Sequence, residues 1–594
     1  MIRLAFCLIV LVACNLRAQE DLLAKQYFND GEFSKAVVFY EKLAQTHPRR
    51  TDYAENLVNC YQQLEAYDKA IDFLKAQLAT GMAYPTVYID LGYTYLLKGE
   101  PDESDRWYRK ALEAIETNPN TGYGIGFKFQ RYTLLDYALQ AYRRSMQLNP
   151  DLDFSFQIAQ IYGEQGRISE MFEAYMDLLA QRPTAKSNVL RALESFVGPD
   201  PQAENNQLLR RVLLGRAQKT PDPVWNELLS WLLVQQGQYA AAFGQEKAIY
   251  RRVPEAGLDR IIDLGRLAEE AGELAAADQA YAFVELESRD SVTRLNARLH
   301  RIDIDLRMNP QKGLQDARKG YEALMESYGY AAQTMQLQVA YANFLAFRDN
   351  RAAEAIAILK KSLELPLSDY TQGYLRMNLG DILVFDERFN EALILFSQVQ
   401  KSLKNDVMGQ QARFKVAQAS FYKGDFDWAL TQLKVLRSST SQLIANDAMQ
   451  LSLIISDNTL EDSTQTALRK YARADLLAYQ KKDAEAIKTL EDILQQHKGE
   501  KIEDEALLMH AKLLTAAGDY SGALLSYRKI VEFYGQDILA DDAHFAMAEL
   551  YRTRLGEPEK AMEHYREIIY RYQDSYYFPQ ARKQFRALRG DPVN

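Results

Sequence analysis

Gly122, Gly124 and Gly126 stand on alternate positions of NPNTGYGIGFKFQRY (118–132), and aromatics, Lys128 and Arg131 follow them. Glycines ahead of a base are a familiar way to bring backbone amides onto a phosphate. The spacing argues against it here. A dinucleotide fingerprint puts its third glycine three residues after the second, where this chain has Phe127; a Walker-type loop closes on Gly-Lys-Ser/Thr, where this chain runs Gly126, Phe127, Lys128. The preceding RWYRKALEAI has the period of a helix, whereas both phosphate loops follow a strand.

Other groups capable of chemistry are scattered. The six histidines, His47, His300, His497, His510, His544 and His564, include no pair at the His-Glu-x-x-His spacing of a metallopeptidase. DDAHFAMAE (541–549) gathers Asp541, Asp542, His544 and Glu549, but acids at a helix start complement the helix dipole, and capping is the expectation there. SYRK (526–529) and SDN (456–458) mimic two motifs of penicillin-binding enzymes in reversed order and with no Lys-Thr-Gly after them. No Gly-x-Ser-x-Gly elbow is present, and none of the 81 carboxylates is singled out as an acid–base pair. The expectation is no catalytic residue, no metal site and no cofactor.

The frame that holds these residues is large. A chain of 594 residues exceeds one compact core and must be several domains or a repeat array. Hydrophobic residues at 47% and charged residues at 26% are ordinary for a folded protein, and 37 tyrosines argue against long disorder. The net charge is −10 and no Lys/Arg block forms a basic stripe, so nucleic acid is not an expected partner.

Residues 1–18, MIRLAFCLIVLVACNLRA, have the layout of an export signal: Arg3 at the start, then an apolar run from Leu4 to Ala13 that is too short to span a bilayer. Two readings of it stay open. Cleavage after Ala18 gives a periplasmic protein starting at Gln19; alternatively LVAC resembles a bacterial lipobox, with Cys14 lipidated and the protein anchored to the outer membrane. No later stretch approaches the ~20 apolar residues of a membrane span, so no transmembrane helix is expected in the mature chain. Removal of 1–18 takes away Arg3, Arg17, Cys7 and Cys14; Cys60 then stands alone, which rules out an internal disulfide and a cysteine zinc site.

The organising pattern is an internal repeat. GEFSKAVVFYEKLAQTHP (31–48) and GEPDESDRWYRKALEAIETNP (99–119) share a glycine turn, a small residue five positions on, an aromatic four beyond that, and a closing proline. The small residues Ala36, Ala70, Ser104 and Ala138 follow one another at 34-residue steps. The same position recurs at Ala242, Ala277, Ala355, Ala392, Ala429, Ala486, Ala523 and Ala561, with the large Met171 as a departure, and Gly237, Gly272, Gly424, Gly518 and Gly556 mark the turn. In this layout the chain resembles the tetratricopeptide-repeat family. The resemblance implies an all-α solenoid, a right-handed superhelix of antiparallel helix pairs that are stable only when stacked. Independently, no segment alternates as a strand would. The domains are expected at 1–18 (signal), 19–183 (N-terminal array), 184–366 (central degenerate repeats, with 184–221 and 288–330 lacking the signature) and 367–594 (C-terminal array). ILADDAHFAMAELYRTRLGEPEKAMEHYREIIYRYQDSYYFPQARKQFRALRG (538–590) is further similar to the repeats of Gram-negative envelope proteins such as the Tol–Pal coordinator and the lipoprotein of the outer-membrane β-barrel assembly machine.

In that family the first helix of each pair lines the binding face. Counted into this chain, its positions hold Phe28 and Asn29; Asn59, Gln62 and Gln63; Ile89, Tyr93 and Leu96; Tyr123, Phe127 and Gln130; Phe156 and Gln160. From these, Asn59, Gln62, Tyr93, Tyr123, Phe127, Gln130 and Phe156 are the peptide-groove candidates. Aromatics offer large contact area and amides can bond an extended backbone. The clamp of basic and amide residues that grips a terminal carboxylate is not completed by Asp21, Lys25 and Thr86. The resemblance thus implies an exported, non-enzymatic scaffold whose partners are envelope proteins, with peripheral association at the outer membrane; the alternative is a cell-wall-acting enzyme with a helical superstructure.

Overall fold

The computed structural model describes residues 20–591 apart from 82–83, 254, 312, 437–440 and 460–464, and the leader with Cys14 lies outside the described residues. The described residues form helices and turns and contain no strand. Successive helices pair as antiparallel hairpins: Phe33–Thr46 follows a helix over 20–29, Thr51–Gln63 pairs with Tyr67–Ala79, Thr86–Lys98 with Pro101–Thr117, and Gly122–Arg131 with Leu135–Leu148. The same plan continues to the pair Ala540–Leu550 and Pro558–Arg571, after which Phe578–Arg589 covers the last hairpin.

The small positions explain why the hairpins close so tightly. Ala36, Ala70 and Ala138 are fully buried, as are Ala242, Ala277, Ala355, Ala392, Ala429, Ala486, Ala523 and Ala561. A second small residue lies opposite, in the first helix, and receives a ring from the second helix. A Cβ on Gly92 would stand 2.5 Å from the Tyr108 ring, one on Gly126 2.5 Å from Tyr142, and one on Gly380 2.4 Å from Phe396. These approaches are closer than carbon atoms tolerate, so the ring occupies the place of the missing side chain. Met171, the departure from the small rule, is fully buried and matched in the same way: a Cβ on Gly163 would meet its Sδ at 2.7 Å.

Most hairpins turn through one residue in the left-handed region. Gly99 (φ 87°) closes its helix with its own N–H donated to Leu96 O at 3.0 Å and the N–H of Glu100 to Tyr95 O at 2.9 Å. The same register position in other repeats carries Glu65, Thr133, Asn350, Glu387 and Lys481, with φ between 56° and 60° as in Thr133 at 59°. The repeat dictates the turn even where the residue type disfavours it.

The segments without signature depart modestly. Lys186–Leu193 is a short helix, and GPDPQ (198–202) returns over Asn206, which is buried, accepts from Gly198 N at 3.2 Å and donates to Gly198 O at 2.8 Å. TPDP (220–223) starts the next helix: Pro223 takes its first position and the Asp222 carboxylate accepts from Val224 N at 2.9 Å. Ser291–Met308 and Gly313–Tyr328 form a hairpin of longer helices.

The chain divides into two compact units, the first ending at Ala276 and the second starting at Ala277. Within the first, Thr51–Gln63, Thr86–Lys98 and Gly122–Arg131 touch in succession; within the second, Met335–Phe347, Asp369–Phe385, Val407–Lys423 and Thr466–Tyr479 do so. Each unit therefore has a layer of first helices with a face of its own.

Candidate functional site

The glycine-rich segment is a helix, Gly122–Arg131, entered through a single 3-10 turn, Pro119–Thr121. Its three glycines have two different duties. A Cβ on Gly122 would lie 1.7 Å from Ser145 Oγ, and Gly126 houses the Tyr142 ring, so both are required for the pairing with Leu135–Leu148. Gly124 faces away, with Thr86 Cγ2 at 3.8 Å as its nearest neighbour. The helix ladder occupies the backbone, and no loop is left to wrap a phosphate.

This helix presents Tyr123 and Phe127, which are 49% and 53% exposed and stacked with centroids 6.1 Å apart and planes 10° from parallel. Residues four apart share a helix face, and the tight seating of Gly122 and Gly126 on the other side turns these rings outward. Gln130, one turn on, donates to Glu164 of the next first helix at 2.5 Å. Phe156 is half-buried with its ring 5.5 Å from Tyr175. Tyr93 stacks on Tyr132 with centroids 4.1 Å apart and planes 6° from parallel. Asn59 is half-buried in its helix, while Gln62 is buried and donates to Thr94 Oγ1 at 2.9 Å. Ile89, expected on the binding face, is fully buried instead and packs in the core around Tyr108 and Phe129. The structure thus gathers Tyr123 and Phe127 as an open aromatic pair, and Tyr93 as half of a stack. Gln62 goes to the bonding between repeats.

Beneath this face lies a buried ion cluster. Lys128 is buried, with Nζ 2.9 Å from Asp90 Oδ1 and 3.1 Å from Glu55 Oε1; Arg131 reaches Glu55 at 3.2 Å. The Tyr132 hydroxyl donates to Asp90. Three consecutive first helices are therefore tied by charge as well as by packing. Burial pushes the Asp90 carboxyl above the usual range, against the opposing pull of Lys128, and burial followed by the Asp90 charge raises the Tyr132 phenol. Asp90 stands two residues before Gly92 and Lys128 two after Gly126, in register positions that the family's binding-face pattern does not include. A lone acid inside one largely apolar first helix and a base inside the next is the signal that could have paired them.

At the far end, Asp541 and Asp542 occupy the first turn of Ala540–Leu550, where their charge complements the helix dipole, but the N-cap position is Leu539 and no side chain caps it; Asp542 accepts instead from Tyr577 at 3.0 Å. His544 and His564 meet through their Nδ1 atoms at 3.0 Å. Among the described residues no three His, Cys, Asp or Glu side chains are placed to hold a metal ion, and no helix is long and apolar enough to cross a membrane.

Known proteins match parts of this architecture. Models of the tetratricopeptide repeat match residues 85–118 and 542–575. The TPR repeat-containing protein MJ1428 of Methanocaldococcus jannaschii is 26% identical over 195 residues, 30% of this chain and 34% of that protein. BBSome complex member BBS4 of Bos taurus is 27% identical over 128 residues, 22% of this chain and 24% of its own length. The general transcriptional corepressor trfA of Dictyostelium discoideum is 25% identical over 130 residues, 22% of this chain and 9% of its own. The chain thus matches about a third or less of the length of these relatives. Among solved structures, Naa15/Naa10 bound to HypK-THB aligns over 97% of this chain and 100% of that one, at 12% identity and a TM-score of 0.30. Together with the hairpins and their ring-in-glycine seats, the matched segments establish that this chain carries tetratricopeptide repeats, one near each end of an all-α series built to the same plan.

Proposed function

We propose that the chain is an exported, non-enzymatic scaffold that captures a segment of another envelope protein on the first-helix face of its N-terminal unit. The observation that carries this reading is the exposed, stacked pair Tyr123 and Phe127 on a helix whose opposite side is locked by Gly122 and Gly126. Two rings held rigid in water provide contact area with little side-chain entropy left to lose on binding. Tetratricopeptide repeats mediate protein–protein contacts, and the aromatic pair gives that general role a location. The envelope address rests on the charged, apolar leader over 1–18, with the periplasm as destination or, if Cys14 is lipidated, the outer membrane as anchor.

Photo-crosslinking in intact cells tests the site. A probe at Phe127 is expected to capture a partner that a probe at Glu113, exposed on the second helix, does not. Equal capture at both positions, or none at either, overturns the reading. Purified protein that clears a band on cell-wall substrate in a zymogram would replace the scaffold with an enzyme.

A further inference from the structure

The second unit holds a cavity that the N-terminal reading does not use. Three first helices end there in an aromatic residue, Phe347, Phe385 and Tyr479, and a fourth, Val407–Lys423, carries Tyr422 one residue before its end. Tyr479 is the hub, with ring centroids 6.4 Å from Phe347, 6.3 Å from Phe385 and 6.3 Å from Tyr422, and Phe347 and Phe385 meet edge-on at 5.0 Å. The neighbouring Gln480 donates to Phe385 O at 2.8 Å and to Glu387 at 3.1 Å, so Thr466–Tyr479 is fastened to Asp369–Phe385 across the intervening repeat. Phe347, Phe385 and Tyr479 border a cavity of about 630 Å³, within the range of ligand sites.

Its charge runs against that of the chain. In a protein of net charge −10, the lining carries Arg348, Lys415 and Lys481 against the single acid Asp381. Lys415 pairs with Asp381 at 3.0 Å. Arg348 and Lys481 are exposed and have no ion-pair partner among the described residues. Two amides complete the wall: Asn343 donates to Asn378 Oδ1 at 3.3 Å, and Asn378 donates to Tyr374 O at 2.8 Å, which leaves the Asn343 oxygen as an acceptor.

We propose that this cavity receives a single acidic side chain from within an extended peptide segment, its carboxylate placed between Arg348 and Lys481, a backbone N–H at Asn343, and a neighbouring apolar side chain against Phe347, Phe385 and Tyr479. A small inorganic anion would satisfy the cations and leave the aromatic wall wet; a purely apolar segment would leave two cations without a counter-charge. Asp381 restricts the choice further. It holds Lys415 in place and repels a second acid, so one acidic residue between uncharged neighbours fits and an acidic run does not. The site stands apart from the Tyr123–Phe127 face and does not depend on it.

The test uses the full-length chain on an array of N-acetylated, C-amidated peptides, each with Glu, Gln or phosphoserine at the centre and leucine or phenylalanine beside it. Glu peptides are expected to bind at least tenfold more tightly than their Gln counterparts, and the margin is expected to shrink as salt rises. The Arg348→Ala/Lys481→Ala double variant, altered only at exposed side chains, is expected to erase the margin with an unchanged melting curve. Lys401→Ala, on an outer helix face, and Phe127→Ala are expected to keep it, so a failure here is separable from a failure of the N-terminal groove. The proposal is overturned by equal binding of Glu and Gln peptides, by a preference that survives the double variant, by displacement with millimolar inorganic phosphate alone, or by binding that requires a free chain end.

Discussion

Lys128 is the residue on which most of the buried charge in the N-terminal unit depends. It neutralises Asp90 in the interior and also reaches the part-exposed Glu55, and removal of one partner of a buried pair costs more than the pair contributes, typically ~3–5 kcal/mol. Lys128→Met is therefore expected to lower stability by about 3 kcal/mol at neutral pH. Its pH dependence has a definite sign. The folded Asp90 carboxyl is raised above its unfolded value, so its burial costs nothing below the unfolded pKa and costs progressively more as pH rises toward the folded one. Without Lys128 that rise is larger. Acidification should then narrow the gap between variant and wild type in thermal melts, and a gap that stays constant from neutral pH to pH 4 would show that Asp90 is not the group left unpaired.

The histidine pair sets an opposite slope. Burial depresses His544 to about 4, with Arg571 adding to it, and burial followed by His544 depresses His564 to about 4. Both are neutral in the fold and protonate more readily when unfolded, so stability is highest above about 6.5 and falls as pH drops toward 4. Asp475, raised to about 6 by burial, and Glu505, raised by burial and by Asp504, work the other way. The contrast between wild type and His564→Gln isolates the imidazoles: the variant's melting temperature should fall less between pH 6.5 and pH 4.

At the scale of the element, the glycine helix offers a paired test. Gly126→Ala puts a methyl into the Tyr142 ring, which is fully buried and has nowhere to move, so a loss of ~1–3 kcal/mol is expected. Gly124→Ala makes only an ordinary contact with Thr86 and should gain up to ~1 kcal/mol from helix propensity. Opposite signs from glycines two residues apart would confirm the seating; equal signs would refute it. Thr133 supplies a third measurement, since a β-branched residue at φ 59° is strained and Thr133→Gly should raise stability by about 1 kcal/mol. Much of this element was legible in advance. The 34-residue step placed Gly126 at a small position and turned Tyr123 and Phe127 to one side, because helical geometry alone fixes both. Ile89 failed the same reasoning because a register position gives a direction only, and the depth of the neighbouring repeat decides whether that direction leads to water.

At the scale of the molecule, what the sequence did not disclose is what depends on partners far apart. Asp90 meets Lys128 across a whole repeat, and Gln480 reaches Phe385 and Glu387 across more than one. No motif of fixed spacing encodes such meetings, since they follow from the angle at which hairpins stack. Repeat arrays couple mainly to near neighbours, so distant lesions should add. Gln480→Ala is expected to cost ~1–2 kcal/mol and to loosen hydrogen-exchange protection around residues 369–387 and 466–496, leaving 51–148 untouched. Combined with Lys128→Met, the two losses should sum; a shortfall beyond ~0.5 kcal/mol would mean that the two units sense each other.

The rings seated in glycine have a mechanical consequence. Tyr142 and Phe396 sit in their opposing helices like pegs in sockets, so neither hairpin can slide along its axis until the ring is lifted clear. The joints between first helices are made largely by side chain against side chain, from the buried Lys128–Asp90 pair to the exposed Gln130–Glu164 bond, and the exposed ones can re-pair as they shift. Pulled from its ends, the chain should behave as a stack of stiff leaves on compliant hinges: it lengthens first by opening angles between repeats, and gives up whole hairpins, in discrete steps, only afterwards.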